Sequence, residues 1–169
     1  MRVVYVLFIS LVCLGVCNAW FFKKKNNGVT ASRIIREARK YNRKTDYSYK
    51  GCKHGYCDEN KCNMYVNDML KNAGAKVPKR RPFFYSPIGA NEWGNPRSTY
   101  VLNTGCYKNV NYPNAGDVVA FPASVGSGHV GIVTGSGQYI SAGEFIVEEK
   151  RIPNKTKVFW RYRYTKSGC

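Results

Sequence analysis

The chain changes character at Gly116. Before it, apolar residues recur at helical spacing; after it they fall into short alternating runs punctuated by Gly, Pro and Asn. Thr30 is a good N-cap, and Ala31, Ile34, Ile35, Ala38 and Tyr41 follow it on one face while Arg33, Arg36, Arg39 and Lys40 lie elsewhere. That pattern predicts an amphipathic helix over 31–42 with a basic outer face. Tyr65, Val66, Met69, Leu70 and Ala73 form a second stripe that Gly74 is suited to end, giving a helix over 62–73. Residues 90–93 suit a short helix within a long stretch, 76–116, that otherwise reads as loop. Beyond Gly116, the runs 117–121, 128–134, 138–141, 145–149 and 158–164 read as a meander of about five antiparallel strands. Helices first and strands after predict an α+β fold, its N-terminal helices packed on an antiparallel sheet. At 169 residues, one domain with a core is expected.

The leading residues have the layout of a secretory signal peptide. Arg2 precedes an uncharged apolar stretch over 3–16, and Cys17-Asn18-Ala19 places small residues before Trp20. The stretch is shorter than the roughly 20 residues a bilayer-spanning helix needs. Cleavage after Ala19 is the expectation, with an uncleaved anchor as the alternative. Residues 20–169 are then expected to form a single secreted, extracellular domain entered through a mobile segment over 20–29. The chain carries 27 Lys and Arg against 10 Asp and Glu, a formal charge of +17. Such a charge says little about fold but selects polyanionic partners, such as anionic cell-wall polymers or lipids. Nothing beyond charge supports nucleic-acid binding, so no specific nucleic acid is expected.

Removal of residues 1–19 leaves five cysteines: Cys52, Cys57, Cys62, Cys106 and Cys169. An odd number in an oxidising compartment leaves one thiol free or bridged to another chain. A disulfide between Cys52 and Cys57 would close a local loop, and Cys106 could pair with Cys169, leaving Cys62 free. A zinc site from Cys52, His54, Cys57 and Cys62 is the alternative, although the spacing is not a clean zinc pattern. Cys62 falls in the first turn of the second predicted helix, where free N–H groups and the dipole stabilise a thiolate and an oxyanion. His129, flanked by Gly128 and Gly131 at the start of a strand, could be held rigidly enough to act as its base. A structural histidine is the competing reading. Asn154-Lys155-Thr156 fits an N-glycosylation sequon.

Six segments then occur in order: Lys61-Cys62-Asn63-Met64-Tyr65-Val66, Ala75-Lys76-Val77-Pro78, Ala90-Asn91-Glu92-Trp93, 115–121 (Ala-Gly-Asp-Val-Val-Ala-Phe), 128–133 (Gly-His-Val-Gly-Ile-Val) and Tyr139-Ile140-Ser141-Ala142. Together they resemble the NlpC-type and CHAP-type cell-wall peptidase and amidase superfamily, and most nearly its bacterial amidase-like members with a Lys-Cys-Asn motif. The resemblance covers residues 30–165. It implies a papain-like core, no cofactor or metal, and a thiol hydrolase acting on amide bonds of bacterial peptidoglycan, as a stem-peptide endopeptidase or a muramoyl-alanine amidase, in a monomeric antibacterial protein. Cys62 matches the nucleophile and His129 the base. The position that orients the base is Ser141, with Glu144 as an alternative, and Tyr47 or Tyr49 could shape the oxyanion site. Asp117 reads as a structural turn residue. Trp93, Phe83, Phe84 and Tyr85 would either floor a substrate groove or pack beneath the loop. The order Cys before His separates the chain from acyltransferase relatives, in which the order is reversed. A non-catalytic cationic binder on the same fold is the functional alternative.

Overall fold

The structure is a computed structural model and describes residues 28–166 and 168–169. The signal-peptide reading of residues 1–19 lies outside the described residues. The elements are α1 (Ala31–Arg39), α2 (Cys62–Asn72), α3 (Ala90–Trp93), α4 (Thr99–Leu102) and six strands: β1 (Tyr107–Val110), β2 (Val118–Phe121), β3 (His129–Gly135), β4 (Gln138–Ala142), β5 (Val147–Arg151) and β6 (Val158–Tyr162). The strands form one antiparallel sheet in the order β1-β6-β2-β3-β4-β5. The α+β arrangement expected from the order of periodicities is therefore what the chain adopts. Among the described residues, no helix is long and apolar enough to cross a membrane.

Strand alternation splits the sheet into two faces. Val118, Ala120, Val130, Ile132, Ile140, Ala142 and Trp160 belong to the main core with Ile34, Tyr65, Val66, Met69 and Leu70 of the helices. Val119, Phe121, Val133, Tyr139 and Phe159 form a smaller cluster of their own. The helix layer covers one face, and α2 lies against β3 and β4 in the middle of the sheet. α2 is buried at Met64 through Leu70 without interruption, which requires internal partners for its polar residues. Asp68 has them: Tyr47 Oη donates to Asp68 Oδ2 at 2.6 Å and Asn67 Nδ2 donates to Asp68 Oδ1 at 3.1 Å.

Where the fold departs from the sequence reading, a local reason is visible. α1 ends at Arg39 rather than near 42, because the chain turns there to join β5: Arg43 (φ 64°) donates its N–H to Val147 O, and Val147 N–H donates to Lys44 O. The sheet has six strands rather than about five. The additional one, β1, is a four-residue edge strand held on β6 alone. β5 starts at Val147 because Gly143 N–H donates to Ile146 O, closing a turn that leaves Phe145 exposed. Trp93, a candidate groove residue, lies in the core instead, and its carbonyl accepts a 2.7 Å hydrogen bond from Trp160 Nε1. Phe83 and Phe84 are exposed. Asp117 is wholly buried and accepts from Asn114 N–H and from Arg161 Nε and Nη2, so its role is structural.

Among the described residues the cysteines pair as Cys52–Cys57 and Cys106–Cys169, and Cys62 is free and buried. The zinc alternative falls with that pairing, since Cys52 and Cys57 are bonded to each other.

Candidate active site

Cys62 opens α2, and its two sequence neighbours fix the walls around it. Lys61 is 1 % exposed, and its Nζ donates to Tyr49 O at 3.1 Å and Glu59 O at 2.8 Å. Burial pushes the Lys61 ammonium below its ordinary range, with Glu59 and Asp58 opposing. Asn63 Nδ2 reaches the other way, to Ile88 O at 3.3 Å. The Lys-Cys-Asn triplet thus straps the loop at 49–59 and the loop at 88 to either side of the thiol.

His129 opens β3. The segment before it is pinned by Asn91 of α3, whose Nδ2 donates to Gly126 O at 2.8 Å and whose Oδ1 accepts from Ala123 N–H at 3.0 Å. Gly128 has φ 66°, and a Cβ there would lie 2.5 Å from Asn91 Oδ1 and 2.7 Å from Phe121 O. Only glycine fits that approach. The imidazole stacks on Phe121 and meets the edge of Tyr139, with ring centroids 6.3 Å and 6.1 Å away.

The sheet register brings Ser141 to the same place. Ser141 is fully buried, and its Oγ lies 2.8 Å from His129 Nε2. Nε2 is therefore occupied, and Nδ1 is the nitrogen left for chemistry when Nε2 carries the proton. Burial pushes the Tyr139 hydroxyl up, with Lys150 and Ser141 opposing. The helix and the strand meet at the residue after His129: the backbone of Val130 favours the Cys62 thiolate, as do the backbone groups of Asn63 and Cys62 itself. Among the described residues the thiol and the imidazole share no hydrogen bond.

The electrostatics set the protonation states. Burial pushes the Cys62 thiol up, and the three backbone groups offset this only in part. Burial pushes His129 down to about 4, with Lys150 and Lys155 pushing the same way and Glu148 opposing. The helix-start reading of the sequence foresaw a stabilised thiolate; desolvation outweighs the helix here, and at neutral pH both groups are uncharged.

Two depressions meet at Asn60. One lies on the Cys62 side, lined by Glu59, Asn60, Cys62, Asn63, Arg80 and Ser127 among others. The other, a cleft of about 500 Å³, lies on the His129 side, with Tyr49, Asn60, Tyr139, Glu144, Lys150 and Lys155 in its walls. Of the sequence candidates, Tyr49 faces this cleft, whereas Tyr47 is committed to Asp68. Glu144 lines it too, but the His129 partner is Ser141. His54 lines neither depression; its Nε2 lies 2.6 Å from Asp68 Oδ2. Sequence reasoning missed Asn60, Tyr139, Lys150 and Lys155. Tyr139 could have been found, since it is two residues from Ser141 on the same strand face.

A protein-family model described as the CHAP domain matches residues 49–150. No curated protein sequence matches the chain significantly. Among solved structures, a hypothetical invasion protein of Mycobacterium tuberculosis is similar with a TM-score of 0.51 at 18% identity, over 79% of this chain and 61% of that one. The Resuscitation Promoting Factor Interacting protein RipA, in a form mutated at a histidine, gives 0.51 at 17% identity, over 78% and 61%. The chain thus spans about three fifths of the length of these two structures. At these identities the likeness is one of fold.

Proposed function

The chain belongs to the CHAP domain family, and on that premise we propose that it is a cysteine hydrolase of amide bonds in bacterial peptidoglycan, with Cys62 as nucleophile, His129 as general base and Ser141 as the residue that orients the base. One observation carries the reading: a buried free thiol opens α2, and the histidine that opens β3, the strand packed on that helix, is held through Nε2 by a buried serine.

The chemistry begins from a neutral pair. His129 Nδ1 takes the proton of Cys62 as the sulfur attacks the amide carbonyl, so a sulfur–carbon bond forms and the carbonyl π electrons move onto oxygen. Free N–H groups at the start of α2 stabilise that oxyanion. Collapse of the intermediate breaks the carbon–nitrogen bond, and the imidazolium gives its proton to the departing amine. A water, deprotonated by the same histidine, hydrolyses the thioester and restores the thiol. No cofactor or metal takes part. The formal charge of +17 favours docking on anionic wall polymers and suits a secreted, monomeric antibacterial protein.

The test uses purified sacculi incubated with the mature protein and with Cys62→Ala, with released fragments identified by mass spectrometry. Release by the wild type alone is expected, and the fragments name the bond. Equal release from both, or none from either, would overturn the proposal. Killing of bacteria retained in full by Cys62→Ala would point to the non-catalytic binder instead.

A further inference from the structure

The His129-side cleft is lined by three charged side chains besides the histidine, Glu144, Lys150 and Lys155, and they do not all cancel in place. Lys150 sits opposite Tyr139 in the β4–β5 register, and its Nζ donates to Glu148 Oε1 at 2.7 Å. That pair is internally satisfied. Lys155 is different. It stands on a turn knitted by its own N–H to Pro153 O at 3.0 Å and by Lys157 Nζ, which donates to Pro153 O and Lys155 O. The Lys155 ammonium lies 4.8 Å from the centroid of Phe121, the ring stacked on His129, and among the described residues it has no carboxylate partner. Glu144, also in the cleft wall, has no cationic partner among the described residues. One unmatched cation and one unmatched carboxylate therefore face the same cleft.

The side of the cleft gives this arrangement its meaning. The imidazolium protonates the departing amine, so groups beyond His129 contact the fragment that leaves as an amine rather than the acyl fragment held on Cys62. We propose that the cleft is a subsite for an amino-acid head group on the leaving fragment, with its carboxylate on Lys155 and its ammonium on Glu144. This deepens the hydrolase reading and rests on it. It names the substrate class: peptidoglycan peptides whose amine-side fragment ends in a free, uncapped amino-acid head, rather than one whose amine and carboxylate are both tied up in cross-links. Opposite charges facing one cleft favour such a zwitterion through charge-assisted hydrogen bonds.

The test compares soluble muropeptides in three forms: native, with carboxylates converted to carboxamides by carbodiimide and ammonia, and with amines acetylated. Relative kcat/KM is read by mass spectrometry. Amidation and acetylation should each lower wild-type kcat/KM about tenfold. Lys155→Gln should reduce the amidation effect to within about twofold while keeping the acetylation effect, and Glu144→Gln should do the reverse. Lys71→Gln, on the exposed far end of α2, controls for bulk charge and should keep both ratios. Less than a twofold effect of either modification on the wild type overturns the subsite, as does a variant that keeps the preference it should lose. A wild type that cleaves no form, or a Cys62→Ala that cleaves all of them equally, overturns the hydrolase reading itself, so the two failures are distinguishable.

Discussion

Removing the Ser141 hydroxyl is the sharpest perturbation of the catalytic assignment. In the resting site Nε2 and Oγ lie 2.8 Å apart, and both are neutral. When His129 takes the thiol proton, the same contact becomes a hydrogen bond from a cation. A neutral pair contributes about 1 kcal/mol and one involving a charged partner about 1.5–3 kcal/mol, so most of the effect belongs to the transition state. Ser141 is fully buried, which keeps water from replacing the lost oxygen. The transition-state bond exceeds the resting one by about 0.5–2 kcal/mol, so Ser141→Ala should lower kcat by about 2- to 30-fold, at 1.36 kcal/mol per factor of ten, with KM little changed. Thermal unfolding followed by circular dichroism should show a drop of only a few degrees, as expected for about 1 kcal/mol in a domain of this size. The assay is initial-rate release of a labelled fragment from sacculi. A correctly folded Ser141→Ala protein whose kcat is not lowered at all would refute the orienting role. A raised KM at unchanged kcat would also refute it, because that is the signature of lost substrate binding.

Other outcomes follow from the same geometry. Since His129 is pushed down to about 4, its basic form persists below the usual histidine range, and kcat/KM should fall only as pH drops through about 4; a limb near the ordinary 6.5 would contradict this. Lys150 and Lys155 both push His129 down, so Lys150→Gln with Lys155→Gln should move that limb to higher pH. Lys61→Ala removes the ammonium that holds the Tyr49 and Glu59 carbonyls and leaves a cavity, so unfolding in urea should show a loss of about 2–3 kcal/mol. The Cys106–Cys169 disulfide spans 63 residues and the Cys52–Cys57 disulfide 5, so loop-closure entropy gives about 4 and about 2 kcal/mol, and paired serine substitutions should rank in that order by midpoint denaturant concentration.

The large periodic elements were readable because their apolar stripes meet one continuous core. α2 was legible to within a residue, from Cys62 to just short of Ala73, because each apolar position on it packs on the sheet or on α1. β1 was not, since Tyr-Lys-Asn-Val on a sheet edge is half solvated and carries no alternation long enough to count. α4, at four residues, is shorter than any period can reveal. Of the site, Cys62 and His129 were legible through their glycine and helix-start settings, and Ser141 through the family likeness. Lys155 and Asn60 were not, because both sit in irregular segments and reach the cleft only through chain turns between distant residues. The protonation states were misjudged for a related reason. A helix start is a local feature visible in sequence, whereas the desolvation that dominates at Cys62 comes from everything packed above it.

That burial has a second consequence, in redox chemistry. Among the described residues two disulfides are closed while a fifth cysteine keeps its thiol, and that thiol has to stay out of exchange. Exchange and oxidation proceed through the thiolate and need access to sulfur. Cys62 is 5 % exposed and held protonated at neutral pH, so it presents neither. The packing that makes it a reluctant acid keeps it from scrambling with Cys52, Cys57, Cys106 and Cys169 and slows its conversion to the sulfenic form. On the proposed mechanism the thiol is released for reaction only by His129, which would let one reactive sulfur coexist with two structural bridges.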